Sequence, residues 1–585
     1  MKIYLEEKIG NPELFTGRKN ELTKLLEWTD KIRRKLGPSR AILSRRKTGK
    51  TAILQRLFNI VYHQNDRVVP FYFEVRESKQ WHADFCKDFY LTFICQYTAF
   101  VSRNPEYLRD DGNRSFETAE DMVRREKLEY LIPSVRGIRS LYEEETELIW
   151  HAVRDAPRGI AQHRDMRVLQ IIDEFQYLNR KIYLDKEKTR LADDFALGYS
   201  STAEYKNAPL LVSGSWVGWL LGDLLKMPAR FRFTRLSPLP EDEATEMIWK
   251  YSVTEGVPVT DETAHLIAGL SEGNAFYISE LMRSDFPGKD LTTPEGVLAT
   301  LEFETLHDEG SVRSTWMEYA DSAFSRVNAR NAKNIVLYLC KHRDREVTRK
   351  EIREKVVPEM NDADLEKKLK ALMNADIIER GRSSFFYRGV QDNIFDKVFR
   401  GEFADEIDNF DPREITDEYK AMFDDLLAKY RKLMGKHGQL KGKFAEFMII
   451  RVLMREAYQE NERFKSAMSN LPDDFEFAEY QSVWSWSASP VHKRDVQVDV
   501  FARAKDAQYS LIGEVKNLER PRFSREEAEK FAEKAAVLRE LEEVSESLLF
   551  VFSRAGFTRD ALDFMKANGM AWSDDPAFLK SREKE

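Results

Sequence analysis

The chain has 585 residues, of which 42% are hydrophobic and 33% are charged, and its formal net charge is −8. This length exceeds what one hydrophobic core uses, so we expect about three to five domains. Because the net charge is negative, any nucleic-acid binding has to use local basic patches. The three cysteines lack metal-ligand spacing, which excludes a disulfide framework and a zinc cluster. A signal-peptide pattern and a membrane-length apolar stretch are both missing, so the sequence predicts a soluble, cytoplasmic protein.

The first motif joins a short apolar strand to an amphipathic helix. It reads Ser44-Arg-Arg-Lys-Thr-Gly-Lys-Thr51 and matches the phosphate-binding pattern G-x-x-x-x-G-K-[ST], with Ser44 in place of the first glycine. Loop N–H groups and the helix N-terminus favour a bound polyphosphate. Gly49 allows a close backbone turn, Lys50 reaches the β- and γ-phosphates, and the Thr51 hydroxyl is a ligand for Mg²⁺. The alternative interpretation is a basic, solvated surface loop.

A second motif decides between these interpretations. The run Arg167-Val-Leu-Gln-Ile-Ile-Asp-Glu174 has the pattern of a buried strand that ends in two acids. An acid at the tip of a neighbouring strand is the position from which P-loop NTPases hold Mg²⁺. We therefore predict that Asp173 holds the metal and that Glu174 polarises the attacking water. The two motifs in this order predict ATP binding.

Two further positions are candidates for contacts with the nucleotide. The buried strand Pro209-Leu-Leu-Val-Ser-Gly-Ser215 ends in small polar residues, so Ser213 or Ser215 is predicted to sense the γ-phosphate. The alternative is a simple strand-to-loop turn. Arg230 and Arg232 are candidates for an arginine that reaches the nucleotide of a neighbouring subunit, or they are surface arginines beside a sheet edge.

Helical patterns follow residue 241 and predict a lid, with a turn at Gly273-Asn274. From residue 331, three helices and a β-ribbon at 377–388 predict a winged helix. Its third helix opens with acids that repel phosphate, whereas the ribbon carries Arg380, Arg382 and Arg388. Binding of DNA and packing against protein therefore both remain open for this segment.

The second chemical centre lies near the C-terminus. Asp499 lies in an alternating strand, and Glu514-x-Lys516 lies in the next strand of a predicted hairpin. Residues i and i+2 of a strand share a face, so Glu514 and Lys516 point to one side and the hairpin brings Asp499 beside them. Two converging carboxylates favour Mg²⁺, and a nearby lysine can orient the attacking water, as in phosphodiester hydrolysis. Glu446, on the preceding helix, is a candidate outer ligand.

The alternative to this metal site is a solvated hairpin face. The order of helix, hairpin, helix (525–541) and a further strand from residue 547 favours a restriction-endonuclease-like fold. The basic run 431–443, which precedes this segment, either tracks a nucleic-acid backbone or is a linker.

At several of these motifs the chain resembles the archaeal ATPase family within the AAA+/STAND-like P-loop NTPases. The resemblance implies a winged helix, often a C-terminal PD-(D/E)XK nuclease-like domain, and a role in DNA handling or defence against foreign DNA. Ala275 departs from it, because the family's lid often has proline there. The residues that carry the resemblance are Phe15-Thr-Gly-Arg18, Gly49-Lys-Thr51, Ile172-Asp-Glu-Phe-Gln-Tyr-Leu178, Val212-Ser-Gly-Ser215, Gly273-Asn274, and the set Asp499, Glu514 and Lys516.

These patterns predict an α/β multidomain protein with a P-loop NTPase parallel sheet, a helical lid, a winged helix and a restriction-endonuclease-like α/β domain. The predicted boundaries are 1–240 for the ATPase core, 241–328 for the lid, 329–400 for the winged helix, 401–440 for a helical basic connector and 441–585 for the nuclease-like domain.

The predicted function is ATP-dependent DNA processing that couples the ATPase to a Mg²⁺-dependent nuclease, in defence or DNA repair. The cofactors are ATP and Mg²⁺, the partner is DNA, and the ATPase domain is expected to form a homo-oligomer. The alternative is an ATP-driven switch or scaffold whose C-terminal domain binds nucleic acid or a partner without cutting. A helicase-like motor is the third option, but the sequence shows no separate translocation motif.

Overall fold

The computed structural model describes residues 2–109, 112, 114–327, 331–383, 385–403, 420–430, 438–488, 492, 494–505, 509–518 and 520–579. The chain divides into two compact units. The first contains Met1–Leu239, Asn274–Phe276 and Glu304–Pro412, and the second contains Pro240–Gly273, Tyr277–Phe303 and Arg413–Glu585. The five predicted domain boundaries stay a prediction. Most of the predicted connector, including 431–437 of the basic run, lies outside the described residues.

A parallel five-stranded sheet forms the centre of the first unit, in the order β2-β4-β6-β1-β7. The sequence analysis expected the strand that ends in Asp173 to be the neighbour of the P-loop strand. In the structure these two strands, β4 and β1, are separated by β6. A separate two-stranded sheet pairs β3 with β5. The strands are β1 (Arg40–Leu43), β2 (Val68–Glu74), β3 (Gln80–Trp81), β4 (Arg167–Asp173), β5 (Ile182–Tyr183), β6 (Leu210–Gly214) and β7 (Arg232–Arg235).

Aromatic side chains pack the helices of this unit onto the sheet. Phe89 and Phe93 meet Phe71 of β2 with ring centroids 5.0 and 5.2 Å apart, so these aromatic positions form a core face, as the sequence predicts. The helices are α1 (Lys19–Arg33), α2 (Lys50–Gln64), α3 (His82–Ser102), α4 (Phe116–Arg125), α5 (Ile132–Glu143), α6 (Ile149–His163), α7 (Tyr199–Thr202) and α8 (Val217–Leu225).

The later part of the first unit contains helices and a three-stranded sheet in the order β8-β10-β9. Thr348 caps the second of the three predicted helices by accepting a hydrogen bond from the Glu351 N–H at 3.1 Å. The helices and the ribbon lie where the sequence pattern predicts them. The elements are α13 (Ser311–Val327), α14 (Ala332–Lys341), β8 (Val347–Thr348), α15 (Arg349–Val356), α16 (Asp362–Asn374), β9 (Ile378–Arg380), β10 (Phe386–Gly389) and α17 (Asn393–Glu402).

The predicted lid helices belong mainly to the second unit, together with the C-terminal segment. The ring of Trp249 stacks on Phe447 with centroids 5.9 Å apart, and Arg455 donates to the Val253 carbonyl at 2.9 Å. The helices are α9 (Glu241–Glu255), α10 (Asp261–Leu270), α11 (Ala275–Arg283), α12 (Pro294–Leu306), α18 (420–430), α19 (Gly438–Arg455), α20 (Asn461–Ser466), α21 (Arg525–Glu542) and α22 (Arg559–Ala567).

A five-stranded mixed sheet in the order β11-β12-β13-β14-β15 organises the second unit. Strands β11 to β13 are antiparallel, whereas β13, β14 and β15 are parallel. Buried side chains of α19 cover one face and those of α21 cover the other. The sequence analysis missed β11 and β15. The strands are β11 (Ser482–Ser487), β12 (Gln497–Arg503), β13 (Ser510–Lys516), β14 (Ser547–Ser553) and β15 (Ala571–Ser573).

Within the described residues, the structure contains no helix with the length and apolar character needed to cross a membrane.

Two glycines of α8 give a test of the packing between α8 and α16. A Cβ at Gly218 would lie 2.3 Å from the Asn374 Cα, whereas a Cβ at Gly222 would meet nothing within 4 Å. We expect Gly218→Ala to destabilise the fold by about 1–3 kcal/mol through overpacking. Gly222→Ala, the matched control, should be neutral or stabilise by up to about 1 kcal/mol because alanine favours helix. Urea unfolding of both variants measures this difference, and equal effects would contradict the packing argument.

Candidate functional site

The P-loop is closed by its own lysine. Gly49 has a φ of 87°, a left-handed conformation that a side chain would strain, and helix α2 begins at the next residue. The Lys50 ammonium donates to the carbonyls of Ser44 at 2.9 Å and Arg45 at 2.6 Å. Burial lowers the pKa of Lys50 to about 8, although the nearby Glu174 carboxylate favours its charged form. The loop therefore holds a buried cation where the sequence predicts the phosphate-binding lysine.

The predicted Mg²⁺ ligands Thr51 and Asp173 lie together. The Thr51 hydroxyl donates to Asp173 Oδ2 at 2.7 Å, and the Tyr72 hydroxyl donates to the same oxygen at 3.4 Å. The Ser213 hydroxyl is hydrogen-bonded to Asp173 Oδ1, and Asp173 is fully buried. The Thr51 hydroxyl and the Asp173 carboxylate suit Mg²⁺, which prefers hard oxygen donors and keeps several waters.

Glu174 follows β4 in a left-handed conformation, with φ 55°. Its Oε2 accepts hydrogen bonds from the Ser215 hydroxyl at 2.7 Å and from the Gln176 side-chain amide at 2.5 Å. Burial and the adjacent Asp173 raise the pKa of Glu174. A Cβ at Gly214 would lie 2.0 Å from Gln176 Oε1, so only glycine leaves room for this amide. The sequence analysis did not assign a role to Gln176, although it follows the two acids within one short string.

The other residues that were predicted to contact the nucleotide form hydrogen bonds with groups of the protein itself. Ser213 and Ser215 hold the two acids, and the Ser44 hydroxyl is hydrogen-bonded to the Thr48 hydroxyl within the loop. Arg230 precedes β7, at the sheet edge opposite the carboxyl ends of the strands. It donates to the Ser200 carbonyl at 3.2 Å, so the structure does not bring it to the P-loop of its own chain.

An aromatic cluster holds the two P-loop arginines, so they are not simply solvated. The Arg45 guanidinium lies 5.7 Å from the Trp316 ring centroid and pairs with Asp392 at 3.3 Å. The Arg46 guanidinium lies 5.9 Å from the Trp216 ring centroid. The Arg45 contacts join the loop to helix α13 and to the segment that follows it, and the Arg46 contact joins it to the start of α8.

Asp376, which follows α16, is a second contact between this segment and the ATPase sheet. Its Oδ2 accepts from the Val217 N–H at 2.6 Å, at the first residue of α8, directly beyond β6. Burial raises the pKa of Asp376 to about 6, against the opposing effects of that hydrogen bond and of Arg45. No local pattern in the sequence predicts this contact, because the two partners are 159 residues apart.

In the second unit, the hairpin brings two predicted acids together. The register pairs Val500 of β12 with Gly513 of β13, which places Asp499 and Glu514 at adjoining positions of the two strands. The Val515 N–H donates to Asp499 Oδ2 at 2.8 Å. Burial and the Glu514 charge raise the pKa of Asp499 to about 7.

Glu446 of α19 is the third predicted acid. Burial and then the charge of Asp499 raise its pKa to about 8. Among the residues that the structure describes, no group of three or more His, Cys, Asp or Glu side chains could hold a metal ion as placed. Asp499 and Glu514 fit Mg²⁺, since this ion is bound by one or two carboxylates and retains water.

The lysine of this motif has a partner on a helix. Lys516 donates to Glu527 of α21 at 2.5 Å, whereas Glu514 accepts from Lys534 of the same helix at 2.9 Å. Glu514 and Lys516 therefore face the same side of β13, as predicted. The sequence analysis did not identify Lys534, since it lies in a helix that is rich in charged residues.

No family model matches this chain, and no curated protein matches it. Among solved structures, it is similar to a Walker-type ATPase of Pyrococcus abyssi, with 15% identity and a TM-score of 0.46 over 68% of this chain and 100% of the other. It is similar to the ORC2 protein of Aeropyrum pernix, with 13% identity and a TM-score of 0.35 over 66% of this chain and 94% of the other. For the RuvB branch migration motor of Thermotoga maritima, the identity is 12% and the TM-score 0.30, over 64% and 93%.

Asp376→Asn tests the electrostatic cost of the contact at α8. Because the pKa of Asp376 rises from 3.8 to about 6 on folding, the folded state binds more protons between these values, and stability falls as pH rises through this window. The neutral variant should avoid this loss, which we expect to be on the order of 2 kcal/mol because the group keeps some contact with solvent. Urea unfolding at pH 4.5 and pH 7.0 measures it. A variant with the same pH dependence as the wild type would contradict this explanation.

Proposed function

We propose that the first unit binds and hydrolyses ATP. The observation that supports this most directly is the contact of 2.7 Å between the Thr51 hydroxyl and the buried Asp173, beside the loop that Lys50 closes. A P-loop threonine and an acid at the end of a parallel strand are the two protein groups that hold Mg²⁺ in P-loop NTPases. Glu174, next to Asp173, is the third group of the proposed site and is the candidate to polarise the attacking water.

Each residue has a role that follows from its position. The loop N–H groups, Gly49 and Lys50 bind the phosphates, while Thr51 and Asp173 hold Mg²⁺. When bound by these residues, Mg²⁺ would supply neutralisation of the charge that develops on the phosphates. Glu174 orients and polarises the attacking water.

Four residues have supporting roles in this proposal. Ser215 and Gln176 fix the Glu174 carboxylate, and Ser213 fixes Asp173. Arg230 would act on the nucleotide of a second subunit, which requires a homo-oligomer.

The variants Lys50→Ala and Glu174→Gln separate binding from hydrolysis. Lys50→Ala should lose nucleotide binding because its ammonium supplies the charge that meets the phosphates. Glu174→Gln should retain binding but lower hydrolysis by about 100-fold or more, since an amide does not polarise water as a carboxylate does. Binding of a fluorescent ATP analogue and release of phosphate measure the two steps.

Lys31→Ala, at an exposed position of α1, is the control and should behave as the wild type. Full hydrolysis by Glu174→Gln would remove Glu174 from the role given to it.

The second part of the proposal is ATP-dependent processing of DNA in the cytoplasm, in defence or repair. The C-terminal sheet would be a PD-(D/E)XK nuclease-like domain in which Asp499 and Glu514 hold Mg²⁺, with Glu446 as an outer ligand. The ion would activate water and neutralise the phosphodiester. Lys516 would orient that water, and the predicted domain 329–400 would be a winged helix that contacts DNA. The adjoining positions of Asp499 and Glu514 support this reading.

The ion pairs of the motif favour a second candidate function. Lys516 is bound to Glu527 and Glu514 is bound to Lys534, so both side chains already have partners of opposite charge. In this alternative, the protein is an ATP-driven switch or scaffold, and the C-terminal domain holds nucleic acid or a partner without cutting.

A cleavage assay on linear, circular and branched DNA distinguishes the two functions. With Mg²⁺, the wild type should cut at least one substrate, and Lys516→Ala should lower the rate by about 100-fold, which is typical for loss of a group that assists proton transfer. Lys50→Ala should lose the part of the activity that requires ATP.

Lys566→Ala, at an exposed position of α22, is the control for lysine removal. Cutting that survives in Lys516→Ala would move the active site elsewhere. Absence of cutting by the wild type, with ATP hydrolysis intact, would select the switch or scaffold.

A further inference from the structure

A lysine outside the predicted motif, Lys534, donates to both carboxylate oxygens of Glu514. The Lys534 ammonium lies 2.9 Å from Glu514 Oε1 and 3.2 Å from Oε2. Both side chains are partly buried, with 36% of Lys534 and 22% of Glu514 exposed. An ammonium that donates to both oxygens of a carboxylate makes charge-assisted hydrogen bonds and occupies acceptor sites that a metal ion would otherwise use.

The lysine of the motif does not take this place, because it is held by another partner. Lys516 donates to Glu527 at 2.5 Å. Glu527 is fixed in turn, since its Oε2 accepts from the Ser524 N–H at 2.8 Å in a capping box at the start of α21. The cation that faces Glu514 is therefore Lys534, which lies two helical turns beyond Glu527 on α21. It is not Lys516 of β13.

We propose that Lys534 occupies the cation position at Glu514, so that a divalent ion binds this acidic site only by displacing the Lys534 ammonium. Lys534 is then a positioning residue that sets the metal affinity of the site. This inference rests on the proposed metal site at Asp499 and Glu514.

The charge balance around Glu514 gives the expected direction of the effect. Asp499 adjoins Glu514 on the paired strand, and Glu446 is close enough to feel the charge of both. Removal of the Lys534 charge leaves this set of acids with less compensation, which strengthens its attraction for a divalent cation. A residue that merely packed the helix onto the sheet would not raise metal affinity when it was removed.

The test measures Mn²⁺ binding to the full-length chain without nucleotide, by electron paramagnetic resonance of the free ion. Glu514→Gln defines which bound ion depends on the site. Lys534→Met should bind that ion about 3- to 10-fold more tightly, as expected for loss of a competing, partly exposed cation. Lys534→Arg, which keeps the charge, should resemble the wild type.

Lys530→Met is the matched control, because Lys530 lies one turn earlier on α21 and pairs with the exposed Glu526 at 2.7 Å. It should leave Mn²⁺ affinity unchanged. Lys534→Gln repeats the charge removal in case methionine disturbs the packing.

Unchanged or weaker binding of the Glu514-dependent ion in both Lys534→Met and Lys534→Gln would overturn the inference and leave the proposed metal site standing. If no bound Mn²⁺ in the wild type or in these variants depends on Glu514, the proposed metal site is wrong, and the inference is wrong with it. Tighter binding in the two neutral variants alone would support displacement.

Discussion

The buried hydrogen bond between Thr51 and Asp173 is the constraint on which the first unit depends. A fully buried carboxylate is costly unless each oxygen has a partner, and here Thr51, Tyr72 and Ser213 supply them. These partners come from α2, β2 and β6, so the contact also fixes how the P-loop helix lies against the carboxyl ends of three strands. Glu174 extends the same network outward through Ser215. Ser213 and Ser215, which the sequence analysis assigns to nucleotide sensing, therefore also hold the two acids in place.

The sequence predicted local elements well and long-range pairing less well. The strand that ends in Asp173 and the helix that begins at Lys50 follow from patterns of fewer than about fifteen residues, which is the range over which periodicity acts. The insertion of β6 between β1 and β4 depends on pairing between distant segments, which no local pattern encodes. Strand β15 has three residues, too few to show a period. In β11 tryptophan alternates with serine, which is a strand pattern that the sequence analysis did not use.

The candidate sites show the same division. Glu514 and Lys516 share β13, so their relative placement followed from the two-residue period, whereas the predicted hairpin placed Asp499 of β12 beside them. The contacts of Arg45 with Trp316 and of Lys534 with Glu514 join separate elements, and each lysine or arginine by itself resembles an ordinary surface charge. In both units, acids that a motif marks as functional are buried close to one another, and the protein places a lysine beside them. Charge compensation by Lys50 and by Lys534 is thus a feature of tertiary structure, which the spacing of acids alone does not reveal.

The course of the chain through the two units has a consequence for how the protein can be divided. Segments 240–273 and 277–303 belong with 413–585, while 274–276 and 304–412 belong with the N-terminal segment. Within the second unit, Arg455 and Phe447 contact α9 directly. A cut at a single point in the sequence therefore leaves at least one unit without part of its interior. A C-terminal fragment that starts near residue 413 lacks the helical surface against which α19 packs, so an autonomous second unit would have to be assembled from three separate stretches of the gene.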